Sequence, residues 1–584
     1  TVGDIDLDGW QDIYVSNDFF ERDYIYMNNG DGTFREELTQ QMKSLSAASM
    51  GADMADLNGD GYPEIFVTEM LPEKDDDIKQ KTTFEDWNRY QNNLDNGYYH
   101  QFTRNMLQLN NGDGTFSEIG RLAGVEATDW SWGALLFDMD NDGRRDIFVA
   151  NGIYQDLTDQ DYIDFIANSE TQRMIITREG VDFKRLIDSI PVRPVKNYAF
   201  QNQGNFKFDN QAENWGLANL SHSNGAAYGD LDNDGDLDLV VNNVNMPAFV
   251  YRNESQENYL QFELKGTAEN PNAVGTRITI QYGDTIQTME HMPMRGFQSS
   301  MDYLVHFGLG KNDKVDAIWI DWMDGKQTAL VDAAANQRIK VKHENSGMSQ
   351  AMTPSKKRQE SRPIFVNNQL NINFQHKENR FSDFDRERLI YHMLSTSGPK
   401  IDVADVNGDG REDFYVCGAK DAAGKLFVQT ANGSFQAKNE TLFEEKKLAE
   451  ETDCLFFDAD GDGDQDLYIA SGGNELPNSS SGLIDRLYIN DGKGNMTLSN
   501  QILPTFNYES TSCVRAADYD GDGDQDLFVG VRLRPFLYGV PVNGYLLQND
   551  GTGKFKNIPQ QLAPDLQQHG MIPDAQRTDI ANAN

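Results

Sequence analysis

Cysteine is nearly absent: Cys417, Cys454 and Cys513 are the only three in 584 residues. So sparse a set excludes a disulfide framework. The three read as buried thiols, with a Cys454–Cys513 bridge between neighbouring repeat units as the alternative. Basic residues are scarce as well, 51 against 93 acidic ones, which leaves a net charge of −42. A polyanion repels nucleic acid and anionic membrane, so neither is expected as a partner. Long apolar runs are missing; none approaches the roughly 18 residues of a membrane-spanning helix. Catalytic signatures are missing too: there is no G-x-S-x-G, no H-E-x-x-H, no P-loop and no zinc-like Cys/His spacing. The chain therefore reads as a non-enzyme. Extreme charge can also mean disorder, but 11% aromatic residues and many short apolar runs argue for a folded chain.

What the sequence has in quantity is aspartate at fixed spacing. The pattern D-x-[DN]-x-D-G-x-x-[DE] occurs seven times, starting at Asp4, Asp56, Asp138, Asp230, Asp405, Asp458 and Asp518. Calcium takes six to eight oxygen ligands, and carboxylates on alternate residues of a tight loop converge on one such ion. Glycine at the sixth place permits the sharp turn. The predicted ligands are Asp4, Asp6, Asp8 and Asp12; Asp56, Asn58, Asp60 and Glu64; Asp138, Asp140, Asp142 and Asp146; and Asp230, Asp232, Asp234 and Asp238. In the second half they are Asp405, Asn407, Asp409 and Asp413; Asp458, Asp460, Asp462 and Asp466; and Asp518, Asp520, Asp522 and Asp526. About seven Ca²⁺ sites are expected, structural in role. Magnesium, which keeps several waters, fits less well.

An EF-hand opens in the same way but needs a bidentate Glu at the twelfth place. Here that place is Val15, Val67, Val149, Val241, Val416, Ile469 and Val529. These belong to β-branched, aromatic runs such as IYVSN and IFVAN, which read as strands leaving each loop. Another strand precedes each loop, as in Ala134-Leu135-Leu136-Phe137. A second recurring turn follows, NNGDGTF at Asn28 and Asn110, NDGKGNM at Asn490 and NDGTGKF at Asn549. Turns of this kind join hairpins, and two hairpins make a four-stranded propeller blade. Wider gaps between the early loops are filled by 71–105 and 153–197, whose composition predicts short helices. The polar stretch Gly347 to Pro363 reads as a linker, and its Lys356-Lys357-Arg358 as a solvated charge run.

The blades resemble the FG-GAP (VCBS) repeats of integrin α-chain propellers. Residues 259–342 lack the aspartate loop, and with Ala273-Val274-Gly275-Thr276-Arg277 and His306-Phe307-Gly308-Leu309-Gly310 they resemble an ASPIC/UnbV domain. The combination is similar to the cartilage acidic protein family and, more closely, to large VCBS-repeat proteins of Bacteroidetes-type bacteria. The resemblance implies an all-β fold: two β-propellers of four-stranded blades flanking a β-sandwich-like ASPIC/UnbV domain. The expected domains are a first propeller at 1–255, the ASPIC/UnbV domain at 256–345, a linker at 346–362 and a second propeller at 363–584. It also implies export to the extracellular side or outer-membrane surface of a Gram-negative bacterium. The chain opens inside a repeat, which reads as an internal piece of a longer protein, so both propellers are expected to be truncated. Asp579 to Asn584 resembles an eighth loop with alanines at two ligand places, and is expected to bind no calcium.

Two further groups stand out. His376, Glu378, Asp383 and His392 alternate before a strand; they read first as structural hydrogen bonding, with metal or ligand binding as the alternative. Trp130 and Trp132 suit either stacking on a sugar ring or packing between blades. The leading functional expectation is a surface module in which calcium stiffens propellers that bind a protein or polysaccharide. An enzyme or enzyme subunit acting on extracellular polysaccharide is the alternative.

Overall fold

The computed structural model describes residues 1–19, 21–81, 86–177, 182–348, 372–388, 390–505, 507–558, 563, 566 and 571–575. The chain divides into two units, Thr1–Ser361 and Arg362–Asn584. The linker's basic run and the degenerate eighth loop lie outside the described residues.

The repeats fold as antiparallel blades in which the aspartate loop joins the first strand to the second. In the first unit one blade is Val2–Gly3, Asp12–Val15, Tyr24–Asn28 and Phe34–Glu36. The next is Ala52–Ala55, Glu64–Val67, Met106–Asn110 and Phe116–Glu118, followed by Ser131–Phe137, Asp146–Asn151, Tyr198–Asn202 and Phe208–Asn210. A three-stranded blade, Ser223–Gly229, Asp238–Asn243 and Phe249–Tyr251, ends the series. Among the described residues the second unit has three four-stranded blades, whose first strands are Ile401–Ala404, Glu450–Phe457 and Ser510–Ala517. The fold is all-β, as the repeats imply. Among the described residues the blades form two open series and no closed propeller.

First strands of successive blades pack side by side: Ala52–Ala55 against Ser131–Phe137, and that strand against Ser223–Gly229. Strand alternation sends one set of side chains into each gap between blades. Between the second and third blades the gap is filled by Leu57, Phe66, Leu107, Leu136, Ile147 and Phe200. In the second unit Tyr415, Phe443, Ile469 and Tyr488 do the same. Cys417 and Cys454 lie in that same cluster, free and buried. This corrects the Cys454–Cys513 alternative: no bridge forms, and the thiol beside Cys454 is Cys417.

Both insertions form the expected short helices, Asp75–Gln80 and Trp87–Asp95, then Gln160–Ala167, Ser169–Thr177 and Phe183–Asp188. Asp86, Asp159 and Asp182 start three of them by accepting the backbone N–H three residues on. No helix among the described residues is long and apolar enough to cross a membrane.

Residues 258–348 form a sandwich. One sheet is Leu304–Gly310, Asn258–Lys265 and Gln337–Lys342, and the other has five strands centred on Arg277–Tyr282 and Lys314–Asp321. Leu260, Phe262 and Phe307 of the first face Ile278, Ile280, Ile318 and Ile320 of the second, all essentially inaccessible to solvent.

Candidate metal centres

Each aspartate loop is built by its own carboxylates before any ion is considered. The ninth residue acts as a staple. One of its oxygens accepts the N–H of the second loop residue in all seven copies, for example Asp12 from Ile5 at 2.9 Å, Glu64 from Leu57 at 2.7 Å and Asp466 from Ala459 at 2.8 Å. In six loops the other oxygen accepts an N–H at the end of the third strand, as Asp466 does from Asn490 at 2.8 Å. In six loops the first aspartate accepts the N–H of the sixth-place glycine, at 2.7–3.1 Å. That glycine sits at φ between 80° and 101° in the loops at Asp4, Asp56, Asp138, Asp230, Asp405, Asp458 and Asp518, where a side chain is strained.

With the backbone so fixed, side-chain oxygens converge. In five loops three carboxylates offer oxygens within 4.8 Å of one another: Asp4, Asp6 and Asp8; Asp138, Asp140 and Asp146; Asp230, Asp232 and Asp234; Asp458, Asp460 and Asp466; and Asp518, Asp520 and Asp526. The loops at Asp56 and Asp405, with Asn at the third place, bring no three carboxylates together in this way among the described residues. The Asn58 amide lies between its neighbours, donating to Asp60 Oδ2 at 3.1 Å and Glu64 Oε1 at 3.3 Å.

Oxygens so close repel unless something positive joins them. Burial pushes the carboxyls of Asp4 and Asp466 up to about 7, and burial with the charges of Asp142 and Asp140 pushes Asp138 well above its usual range. Asp4 Oδ1, Asp230 Oδ1 and Asp460 Oδ1 are buried without a hydrogen-bond partner. Buried acceptors are rarely left so, and hard oxygen ligands in this number suit a divalent cation such as calcium. The residues fit the ion.

The family model for FG-GAP-like repeats matches residues 4–67, 96–149, 405–469 and 458–529, taking in every loop except the one at Asp230. That for ASPIC and UnbV matches 266–347 within the sandwich. The chain is an FG-GAP-repeat protein with an ASPIC/UnbV domain. No curated protein matches it. Among solved structures, the biofilm matrix protein Bap1 of V. cholerae is 12% identical, with 90% of this chain and 72% of that one covered at a TM-score of 0.18. A Trypanosoma rangeli sialidase in complex with sialic acid is 8% identical, covering 73% and 55% at a TM-score of 0.15.

The FG-GAP repeats are clamped by a residue that sequence reasoning passed over. At or just after the end of the third strand stands Asn28, Asn110, Asn202, Asn253, Asn490 or Asn549. The Asn28 amide donates within its own repeat, to Gln11 O at 3.0 Å. The other five donate to the second loop residue of the preceding repeat: Asn110 to Ile5 O at 3.0 Å, Asn202 to Leu57 O at 2.9 Å and Asn253 to Met139 O at 2.7 Å. Asn490 donates to Val406 O and Asn549 to Ala459 O, both at 2.8 Å. Four of these asparagines open the NNG and NDG turns, so the signal was present but read only as hairpin chemistry.

The other candidates are engaged in hydrogen bonding and packing. His376 Nε2 lies 2.9 Å from Glu378 Oε1, but Asp383 is buried elsewhere, accepting from the N–H groups of Leu394 and Ser395 and the Ser395 hydroxyl, each at 2.9 Å. The His392 ring meets Arg532. The four are not brought to one point. Trp132 packs on Phe297 with ring centroids 5.2 Å apart and donates its Nε1 to Gly152 O at 2.8 Å. Trp130 lies half-buried beside it, centroids 6.1 Å apart.

Next to Glu378 is a carboxyl the sequence did not single out. Glu450 is buried at the start of its strand, accepting from Lys420 N at 2.7 Å. Burial, with the charges of Glu378, Glu475 and Glu451, pushes it up from 4.5 to about 9. The unfolded chain ionises near 4.5, so its contribution is complete below that pH and is lost as pH rises toward 9. Glu450→Gln keeps the acceptor and cannot ionise. It is expected to stabilise the protein at pH 8 by on the order of 3 kcal/mol and to leave stability nearly unchanged at pH 4.5. Chemical denaturation at the two pH values measures this, and equal effects at both would refute it.

Proposed function

We propose that this chain is a calcium-stabilised recognition module acting outside the cell. The FG-GAP loops hold Ca²⁺, the ion stiffens the blades, and the blade faces with their helical insertions bind a protein or polysaccharide. One observation carries the reading: five loops converge three carboxylates within 4.8 Å, and three of them, at Asp4, Asp230 and Asp458, leave a ligand-place oxygen buried without a partner. The seventh loop residue's carbonyl and water complete the six to eight oxygens calcium takes. Affinity of about 10⁻⁴–10⁻³ M, the range of extracellular modules, suits a compartment where calcium is abundant. Seven ions reduce the net charge from −42 to about −28, so the loaded protein still repels polyanions, and neutral glycans or basic protein surfaces fit best.

The test is a glycan and protein-ligand array probed with the full chain, calcium-loaded and chelated, beside a hydrolase and lyase panel. Calcium-dependent capture without turnover is expected. Turnover abolished by changing a residue outside the calcium loops would overturn the reading in favour of an enzyme.

A further inference from the structure

The ASPIC/UnbV sandwich reaches the aspartate loops of its own unit. At the Asp4 loop, the Arg277 guanidinium lies 3.4 Å from Asp4 Oδ2, and Glu290 Oε2 accepts the Asp4 backbone N–H at 3.0 Å. At the Asp230 loop, Gln261 Nε2 donates to Asp230 Oδ2 at 2.8 Å, and Arg338 stands 3.5 Å from the same oxygen. At the Asp138 loop the contact is by shape. A Cβ on Gly308 would fall 2.1 Å from Asp138 Oδ2 and 2.6 Å from the backbone of Asn141. Around it Gly310 N donates to Asn141 O at 2.8 Å, and the buried His306 ring bonds Asn141 Oδ1 at 2.7 Å. The HFGLG segment is thus moulded to a loop.

In the Asp4 and Asp230 loops the division of labour is the same. The sandwich holds Oδ2 of the first carboxylate, and Oδ1 is buried with no hydrogen-bond partner. The Asp230 side chain is only 1% exposed, so bulk water does not satisfy that oxygen. An acceptor fixed on one side and unpartnered on the other is the arrangement a cation completes. The loops at Asp405, Asp458 and Asp518 belong to the other unit, which contains no such domain among the described residues, and serve as references within one molecule.

We propose that the ASPIC/UnbV domain is a working part of the metal centres at Asp4, Asp138 and Asp230, with Arg277, Gly308 and Gln261 as positioning residues, so that cation binding and domain docking are one coupled event. This rests on reading the loops as calcium sites. By linkage, whatever docking adds to cation affinity the cation returns to docking. Coupling of ordinary size is a 5- to 150-fold change in affinity.

The experiment is a calcium titration of the full chain followed by hydrogen exchange. Peptides covering 230–238, 304–310 and 337–342 are read against 458–466 and 518–526. In the unaltered protein calcium is expected to slow exchange in the sandwich strands with the same midpoint as in the Asp230 loop. Gln261→Met removes the donor without changing charge. It is expected to move the Asp230 midpoint to roughly tenfold higher calcium and to leave the Asp458 and Asp518 loops where they were. A loss of folding alone would not produce that local shift. If the variant does not fold, the unaltered protein still decides. The proposal fails if the Asp458 and Asp518 loops respond to calcium while the sandwich strands do not, or if Gln261→Met leaves the Asp230 midpoint in place. A chain in which no loop responds overturns the calcium reading itself, and this proposal with it.

Discussion

Removing divalent cations with excess chelator is expected to lower the thermal unfolding midpoint by on the order of 15 °C, and added calcium to restore it. The direction follows from the loops. Five of them hold three carboxylate oxygens within 4.8 Å, an arrangement that repels in the folded state and relaxes on unfolding. A cation that binds the folded loop alone contributes about 2.7 kcal/mol per site at a hundred times its dissociation constant. Several sites per unit make the effect large even when each is weak. Magnesium is expected to restore less, since it demands near-octahedral geometry and gives up water reluctantly. Differential scanning calorimetry with metal analysis of the same sample checks this. An unchanged melting curve in chelator, together with no metal in the purified protein, would remove calcium from the account.

How much of this was legible in the sequence depends on the range of the interactions. The aspartate loops and the strands flanking them are local: nine residues set the turn, and the apolar twelfth residue places it inside a sheet. Helices in the insertions were legible for the same reason, through local composition. The asparagine clamp was half legible. Asn202 makes its own turn by accepting from Gly204 N at 2.9 Å, a local contact, yet its amide reaches Leu57 O, 145 residues away. Nothing in a spacing pattern reports a partner that distant. The docking of HFGLG on the Asp138 loop was hidden likewise, because Gly308 contributes the absence of a side chain and its meaning lies in Asp138 and Asn141. Two alternatives that the sequence left open also turned on distant packing. Asp383 stands near His376 and Glu378 in the chain but turns to Ser395, and Cys454 sits beside Cys417 instead of Cys513.

Within a single loop, substitutions at two ligand places are expected to behave differently, and the contrast separates ion from scaffold. Asp466 is fully buried and holds two backbone N–H groups, Ala459 and Asn490, each at 2.8 Å. Asp466→Ala strands both donors in a dry interior. A buried unsatisfied group costs about 1–3 kcal/mol, so the variant is expected to lose roughly 3–5 kcal/mol already in chelator, and more in calcium because Asp466 is also one of the converging carboxylates. Asp460 stands two places from the loop's first aspartate, with its Oδ1 buried and unpartnered. Asp460→Asn keeps the size and removes the charge, so its only loss is to the ion. In chelator it is expected to melt with the unaltered protein, and slightly above it if the lost repulsion is felt, since Asp460 faces the charges of Asp462 and Asp458. In calcium it should fall short of the unaltered protein by about the contribution of one site, some 2–3 kcal/mol at saturating ion. Denaturant titrations of the three proteins with and without calcium give all six stabilities. If Asp460→Asn were as damaging in chelator as in calcium, the third place would be scaffold too, and the ion would have no distinct ligand in this loop.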